Sequence, residues 1–251
     1  MFTRFVQGKF KPGKLGEVKR FYSEEVLPAL QQSQGCLYAC LIASVEDPSE
    51  FISFTLWDTQ ANAQAYEQGG TYALLLNKAR DILVDSTEWK VQLTRELKLE
   101  YTPVQEEPVV RSYRTTTTPE PHELAEVIRG PMYVRLLSLK IEPERLSEFR
   151  QIYENEIVPT LRNVSGCRYA FLVDSPEESE VISITIWDGK EHADAYEKSG
   201  IFEGLVEKVR HTFSHVYQWK MKLTEEAQAA TVTSEDLTVK PYQVITGKQL
   251  K

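Results

Sequence analysis

Apolar and polar positions alternate along this chain with two periods, and the switches between them mark its elements. Residues 2–10 alternate with period two, which puts Phe2, Arg4, Val6 and Phe10 on one face of a predicted strand. Over 14–32 the spacing becomes helical, with Leu15, Val18, Tyr22, Val26 and Leu30 on one stripe. Two β-rich runs follow, 36–45 and 51–58, joined by the turn signal Glu46-Asp47-Pro48-Ser49, so they predict a hairpin. Tyr72, Leu75, Leu76, Ala79, Ile82 and Leu83 make a second helical stripe, and Trp89, Val91 and Leu93 alternate inward on a last strand. Asp58 and Asp188 stand where helix N-caps are expected, and Glu191 sits three residues beyond the second, as in a capping box.

The run 51–58 is apolar on both faces: Ile52, Phe54 and Leu56 on one, and Phe51 and Trp57 with Ser53 and Thr55 on the other. Helices cover one face of such a sheet, so the other needs a second layer. The chain provides it, because the pattern is written twice. Residues 1–44 fall on 132–175 without a gap, with 16 of 44 identical, and 51–93 fall on 181–223, with 16 of 43 identical. Pro28 and Leu30 match Pro159 and Leu161; Gly35-Cys36 and Tyr38-Ala39 match Gly166-Cys167 and Tyr169-Ala170; Trp57-Asp58 matches Trp187-Asp188. Val110 to Tyr113 also resembles Val239 to Tyr242, so each copy carries a trailing arm. A Thr/Pro/Glu-rich stretch from Thr115 to His122 lies near the seam.

Strand, helix, hairpin, helix, strand in each copy predicts an α+β protein. Two ferredoxin-like βαββαβ repeats pack sheet to sheet as an intramolecular version of a dimeric α/β barrel, with the arms lying across the partner sheet. The expected boundaries are 1–99 for the first domain, 100–131 for its arm and linker, 132–224 for the second domain and 225–251 for the C-terminal arm. The barrel closes within one chain, and further pairing into a homo-oligomer stays open.

Composition narrows the partners. The 29 Lys and Arg against 37 Asp and Glu give a net charge of −8, a sign that repels phosphate backbones, so nucleic acid is not expected. No apolar run reaches the roughly 18 residues of a membrane helix, and the first ten residues alternate instead of forming a signal-peptide block. A cytoplasmic protein is therefore expected, without a membrane partner. Cys36 and Cys40 fall about 13 Å apart along one strand, too far for a disulfide, which leaves them and Cys167 as structural thiols.

The paired motifs, E-[VI]-[LV]-P-x-L, G-C-x-Y-A and I-S-[FI]-T-[LI]-W-D before an alanine-rich short helix, resemble the antibiotic-biosynthesis-monooxygenase type of dimeric α/β-barrel domain in both halves. That resemblance implies cofactor-independent oxygenation of a small aromatic such as a hydroquinone or phenol, by a pair of domains fused in one chain. In many members the ninth residue after the strand-ending tryptophan is histidine; here it is Tyr66 or Tyr196. The histidine of the haem-degrading branch falls at Leu76 or Val206, and its asparagine near Val6 or Leu137, so haem degradation is not expected.

Tyr66 and Tyr196 are the candidate catalytic residues: each either relays a proton to a substrate oxygen or is an amphipathic tyrosine on the pocket wall. Arg4 and Arg135 share a face with large apolar residues and must be paired. Glu25 and Glu156 are the expected partners; holding an anionic ligand oxygen is the alternative role for the two arginines. Trp57 and Trp187 are either stacking walls for an aromatic ligand or barrel core. His211 and His215, four apart, have no evident third ligand, so no metal is expected, and no phosphate-binding loop or nucleophile motif points to a nucleotide cofactor. The competing class is a non-catalytic barrel that binds a small ligand or serves in a stress response.

Overall fold

The computed structural model describes residues 1–84, 87–93, 99–105, 109–115, 132–174, 180–214 and 239–250. In the first half, β1 (Phe2–Lys9) leads into a helix over 15–32, here α1, followed by the hairpin β2 (Cys36–Ser44) and β3 (Glu50–Trp57). Helices α2 (Gln60–Gln68) and α3 (Thr71–Ala79) come next. Three strands then follow: β4 (Thr87–Leu93), β5 (Leu99–Gln105) and β6 (Val109–Thr115).

The second half repeats the plan. Strand β7 (Tyr133–Lys140) precedes α4 over 146–162, then β8 (Cys167–Asp174) and β9 (Glu180–Trp187). Helices α5 (Lys190–Lys198) and α6 (Ile201–Val209) follow, and the last strand is β10 (Val239–Gln249). Among the described residues no helix is long and apolar enough to cross a membrane.

Eight strands close into a barrel in the order β1-β3-β2-β10-β7-β9-β8-β6. Each half supplies one antiparallel sheet, and the two arms join them. Strand β6 runs between β1 of its own half and β8 of the other; β10 runs between β7 of its own half and β2 of the other. The arms thus lie edge to edge between the sheets and not across a sheet face. Strand edges carry unpaired N–H and C=O groups, which an inserted arm satisfies and an arm lying over side chains would not.

The predicted last strand is displaced for the same reason. Thr87–Leu93 is a strand, but it pairs with Leu99–Gln105 in a separate two-stranded ribbon, and the place beside β1 belongs to the arm. The inward placing of Trp89, Val91 and Leu93 concerns side chains outside the described set, as does the second-half counterpart at 217–223.

The two-faced apolar pattern of β3 is explained by this architecture. Ile52, Phe54 and Leu56 point into the barrel, where Phe54 meets Phe171 of the other half at 5.8 Å between ring centres. Phe51 and Trp57 point outward, under the helices of their own half. The barrel interior is a packed core shared by both halves, and each outer face has its own helix-covered core.

Two local expectations shift by one residue. Thr59, not Asp58, caps α2, its hydroxyl accepting from the Asn62 N–H at 3.2 Å, and Gly189 takes the corresponding place before α5. Asp58 instead braces the turn beside it, accepting from Thr59 N–H and from Asn62 Nδ2. Asp188 accepts from Arg168 Nε at 2.6 Å.

Candidate functional site

A cavity lies between sheet and helices in each half, on the outer side of the barrel wall. The first measures about 90 Å³ and the second about 50 Å³. Their positions follow from the repeat: Arg4, Ser53, Thr55 and Tyr66 of the first correspond to Arg135, Ser183, Thr185 and Tyr196 of the second. The remaining walls are mainly apolar side chains from the strands, the long helix, α3 or α6 and the residues just after it, which gives each cavity a dry lining with a few polar groups.

Arg4 dominates the first cavity. It is 2% exposed on the outward face of β1, where period-two alternation puts it beside Val6. Its Nε donates to Glu67 Oε2 at 3.3 Å, and Glu67 is 42% exposed at the end of α2. The guanidinium carbon sits 4.4 Å from the ring centre of Tyr72 and 5.6 Å from that of Tyr66, a cation–π arrangement. Its Nη2 is buried with no hydrogen-bond partner among the described residues. The second copy differs in detail. Arg135 reaches Glu197 Oε2 through Nη2 at 3.4 Å, and lies 5.5 Å from the ring centre of Tyr196 and 5.2 Å from that of Phe202.

Both arginines are therefore paired, but by Glu67 and Glu197 and not by Glu25 and Glu156. Those two carboxylates sit on exposed ground and pair with Lys78 at 2.7 Å and Lys208 at 2.5 Å. The glutamate that reaches each arginine follows its tyrosine directly in sequence, so one turn of α2 or α5 presents both groups to the first strand of its half.

Tyr66 and Tyr196 line their cavities as expected. Burial pushes both phenols well above their ordinary value of 10, with the nearby arginine opposing the shift only in part. They are protonated donors at neutral pH and not bases.

Trp57 and Trp187 do not line the cavities. Both are completely buried, each indole N–H donates to a threonine two residues back (Thr55 or Thr185) at 2.9 Å, and each ring packs behind its tyrosine at 5.3 and 5.0 Å. They fix the tyrosine rings from outside the site. His211 Nε2 donates to Glu148 Oε1 at 2.9 Å on the surface; His215 lies outside the described residues.

One pair was missing from the sequence reading. Tyr22 meets Ser53 at 3.0 Å and Tyr153 meets Ser183 at 2.8 Å, each bond spanning from the long helix to the middle of the sheet. Both tyrosines open a π-helical turn, Tyr22–Val26 and Tyr153–Ile157, in the middle of their helices. Such turns insert an extra residue and frequently mark functional sites. The pairs add two more hydroxyl groups to the few polar groups on each cavity wall.

The sequence profile of the family described as antibiotic biosynthesis monooxygenase matches residues 1–74 and 132–208. No curated protein matches the chain. Among solved structures, a candidate monooxygenase from Lactobacillus acidophilus superposes with a TM-score of 0.64 at 9% identity, covering 99% of this chain and 96% of that one. A candidate monooxygenase from Fusobacterium nucleatum gives 0.63 at 10% identity, with 99% and 94% covered. An anthrone oxidase-like protein gives 0.53 at 14%, with 99% and 93% covered. At these identities the likeness is one of fold, and it extends over both halves.

Proposed function

This chain belongs to the antibiotic biosynthesis monooxygenase family, with one match to its profile in each half, and we propose that it oxygenates a small phenol or hydroquinone without a bound cofactor. The observation that carries this reading is a guanidinium buried in the wall of an apolar cavity and set over tyrosine rings. A phenolate oxygen seated there is stabilised relative to the neutral phenol, because the charge it meets is held in a dry site. Arg4 is the proposed charge stabiliser, and Arg135 is its counterpart in the second copy.

A deprotonated hydroquinone can give an electron to dioxygen, after which recombination forms a C–O bond at a ring carbon bearing hydrogen. Breaking the O–O bond leaves one oxygen on the ring. The other departs as water with two hydrogens of the substrate, and all four electrons come from the ring. Tyr66, held protonated by burial as its counterpart Tyr196 is, is proposed to donate to the reduced oxygen. Trp57 and Trp187 hold those rings in place.

The second reading is a barrel that binds such a ligand without turning it over. One observation favours it: burial pushes the phenols of the cavity-lining tyrosines well above neutral pH, and among the described residues no histidine or carboxylate lines either cavity to act as a base. Oxygen consumption by the metal-stripped protein with hydroquinones, phenols, naphthols and anthrones separates the two. Protein-dependent uptake that falls at least about a hundredfold in the Tyr66→Phe/Tyr196→Phe double variant supports the oxygenase. A thermal shift with one compound and no uptake makes the protein a binding barrel.

A further inference from the structure

We infer that the two cavities have separate fates: the first is a binding site for one small amphipathic anion, an apolar body with a single carboxylate or phenolate oxygen, and the second does not take it. The inference rests on reading these cavities as ligand sites, not on turnover. Three differences between the copies carry it.

The first difference is room. The cavities measure about 90 and 50 Å³. Where the first has Val18, Ala79 and Leu83, the second has Phe149, Val209 and Phe213. Exchanges in the other direction, among them Phe51 against Val181, Leu76 against Val206 and Ile82 against Thr212, offset most of that side-chain volume, yet the second cavity stays the smaller. The second difference is the use of the arginine. Arg4 spends Nε on Glu67 and leaves Nη2 buried without a partner among the described residues, whereas Arg135 spends Nη2 on Glu197. A buried N–H of a cation left unpaired is costly, and an anionic oxygen in the cavity removes that cost. The third is the ring under the guanidinium: Tyr72 at 4.4 Å in the first copy, Phe202 at 5.2 Å in the second.

The ligand class follows from this inventory. The walls around Arg4 are valine, leucine, phenylalanine and tyrosine, which fit an apolar body. One uncompensated N–H edge of one cation fits one anionic oxygen group, and Glu67 on the Nε edge repels a second. The volume suits a single small ring and not a fused polycycle.

Fluorine NMR titration under nitrogen tests this on the full chain, using 4-fluorobenzoate, 4-fluorophenol and the neutral 4-fluorobenzamide. The expected result is one site per chain and benzoate binding about tenfold tighter than the amide. If 4-fluorophenol matches the benzoate as the pH rises, the site takes phenolate oxygen; if it stays as weak as the amide, the site is for carboxylates. Ala79→Val, which installs the second copy's side chain, should weaken binding at least tenfold while leaving the melting temperature within a few degrees. Arg4→Met should abolish the preference for the anion over the amide. Two equivalent sites per chain, no preference over the amide, no binding at all, or unchanged affinity in Ala79→Val would each overturn the inference. Single-site anion binding without oxygen uptake would leave it standing and remove the oxygenase reading.

Discussion

Arg4 reaches Glu67 through Nε at 3.3 Å, joining a cation that is 2% exposed to a carboxylate that is 42% exposed. Water weakens such a pair on one side only, so most of the desolvation cost falls on the arginine. Glu67→Ala is expected to lower stability by about 1–3 kcal/mol, less than a wholly buried pair would, because solvent screens the glutamate. Arg4→Met/Glu67→Ala should be more stable than Glu67→Ala alone, since removing both charges leaves none stranded. Urea unfolding of the four proteins of this cycle checks it; additive effects would show that the contact carries no coupling.

Trp57 packs against Tyr66 with its N–H committed to Thr55 and its ring out of the cavity. Trp57→Phe should therefore cost stability, about 1–3 kcal/mol from lost volume and one lost hydrogen bond. Ligand affinity should change no more than a few fold. A stacking wall would behave the other way, losing at least tenfold in affinity, and parallel denaturation and binding titrations distinguish them.

Burial is the leading reason that Tyr22, Tyr38, Tyr66, Tyr153 and Tyr196 all have phenols above the ordinary value of 10. In the unfolded chain the same groups ionise near 10. The folded state thus holds more protons than the unfolded one above that pH, and stability falls as the pH rises past 10 toward the folded values. Below pH 10 these groups leave stability level. Ultraviolet titration of phenolate should show that a large subset of the 12 tyrosines ionises only together with loss of far-ultraviolet dichroism. Ionisation of all 12 near pH 10 in the folded protein would contradict this burial.

Much of this architecture was legible because duplication doubles every signal. The sheet, its hairpins and the two-faced β3 follow from period-two alternation repeated at matched positions. The π-helical turns were also written in the chain. Val18, Tyr22, Val26 and Leu30 succeed one another in steps of four, as do Phe149, Tyr153, Ile157 and Leu161. In an α-helix each such step overshoots a full turn by about 40°, and one wider turn absorbs the drift.

Other features were not legible. Glu25 and Glu67 are both identical between copies, so the sequence offered two equal partners for Arg4. What decides is where α2 crosses β1, a tertiary fact. The arms likewise repeat as sequence, yet nothing local says that β6 and β10, not Thr87–Leu93, fill the edges. Edge pairing is settled by which strand reaches across to the other half.

Gly35 and Gly13 offer the sharpest test of local geometry, because their backbones match and their surroundings do not. Both have a left-handed φ, +77° and +79°. A Cβ on Gly13 would meet nothing within 4 Å, while one on Gly35 would collide with Asp58 Oδ1 at 2.1 Å. That crowding has a cause: the Asp58 N–H donates to Gly35 C=O at 2.9 Å, drawing the end of β3 against the turn before β2. Gly13→Ala should cost only the conformational term, about 1–2 kcal/mol. Gly35→Ala should cost about 2–5 kcal/mol, since the clash adds to the same term. Asp58→Gly in the Gly35→Ala background should recover part of the difference by removing the obstructing carboxylate. Urea midpoints for these variants provide the check, and equal losses at Gly13 and Gly35 would mean that the strand end yields to the added methyl.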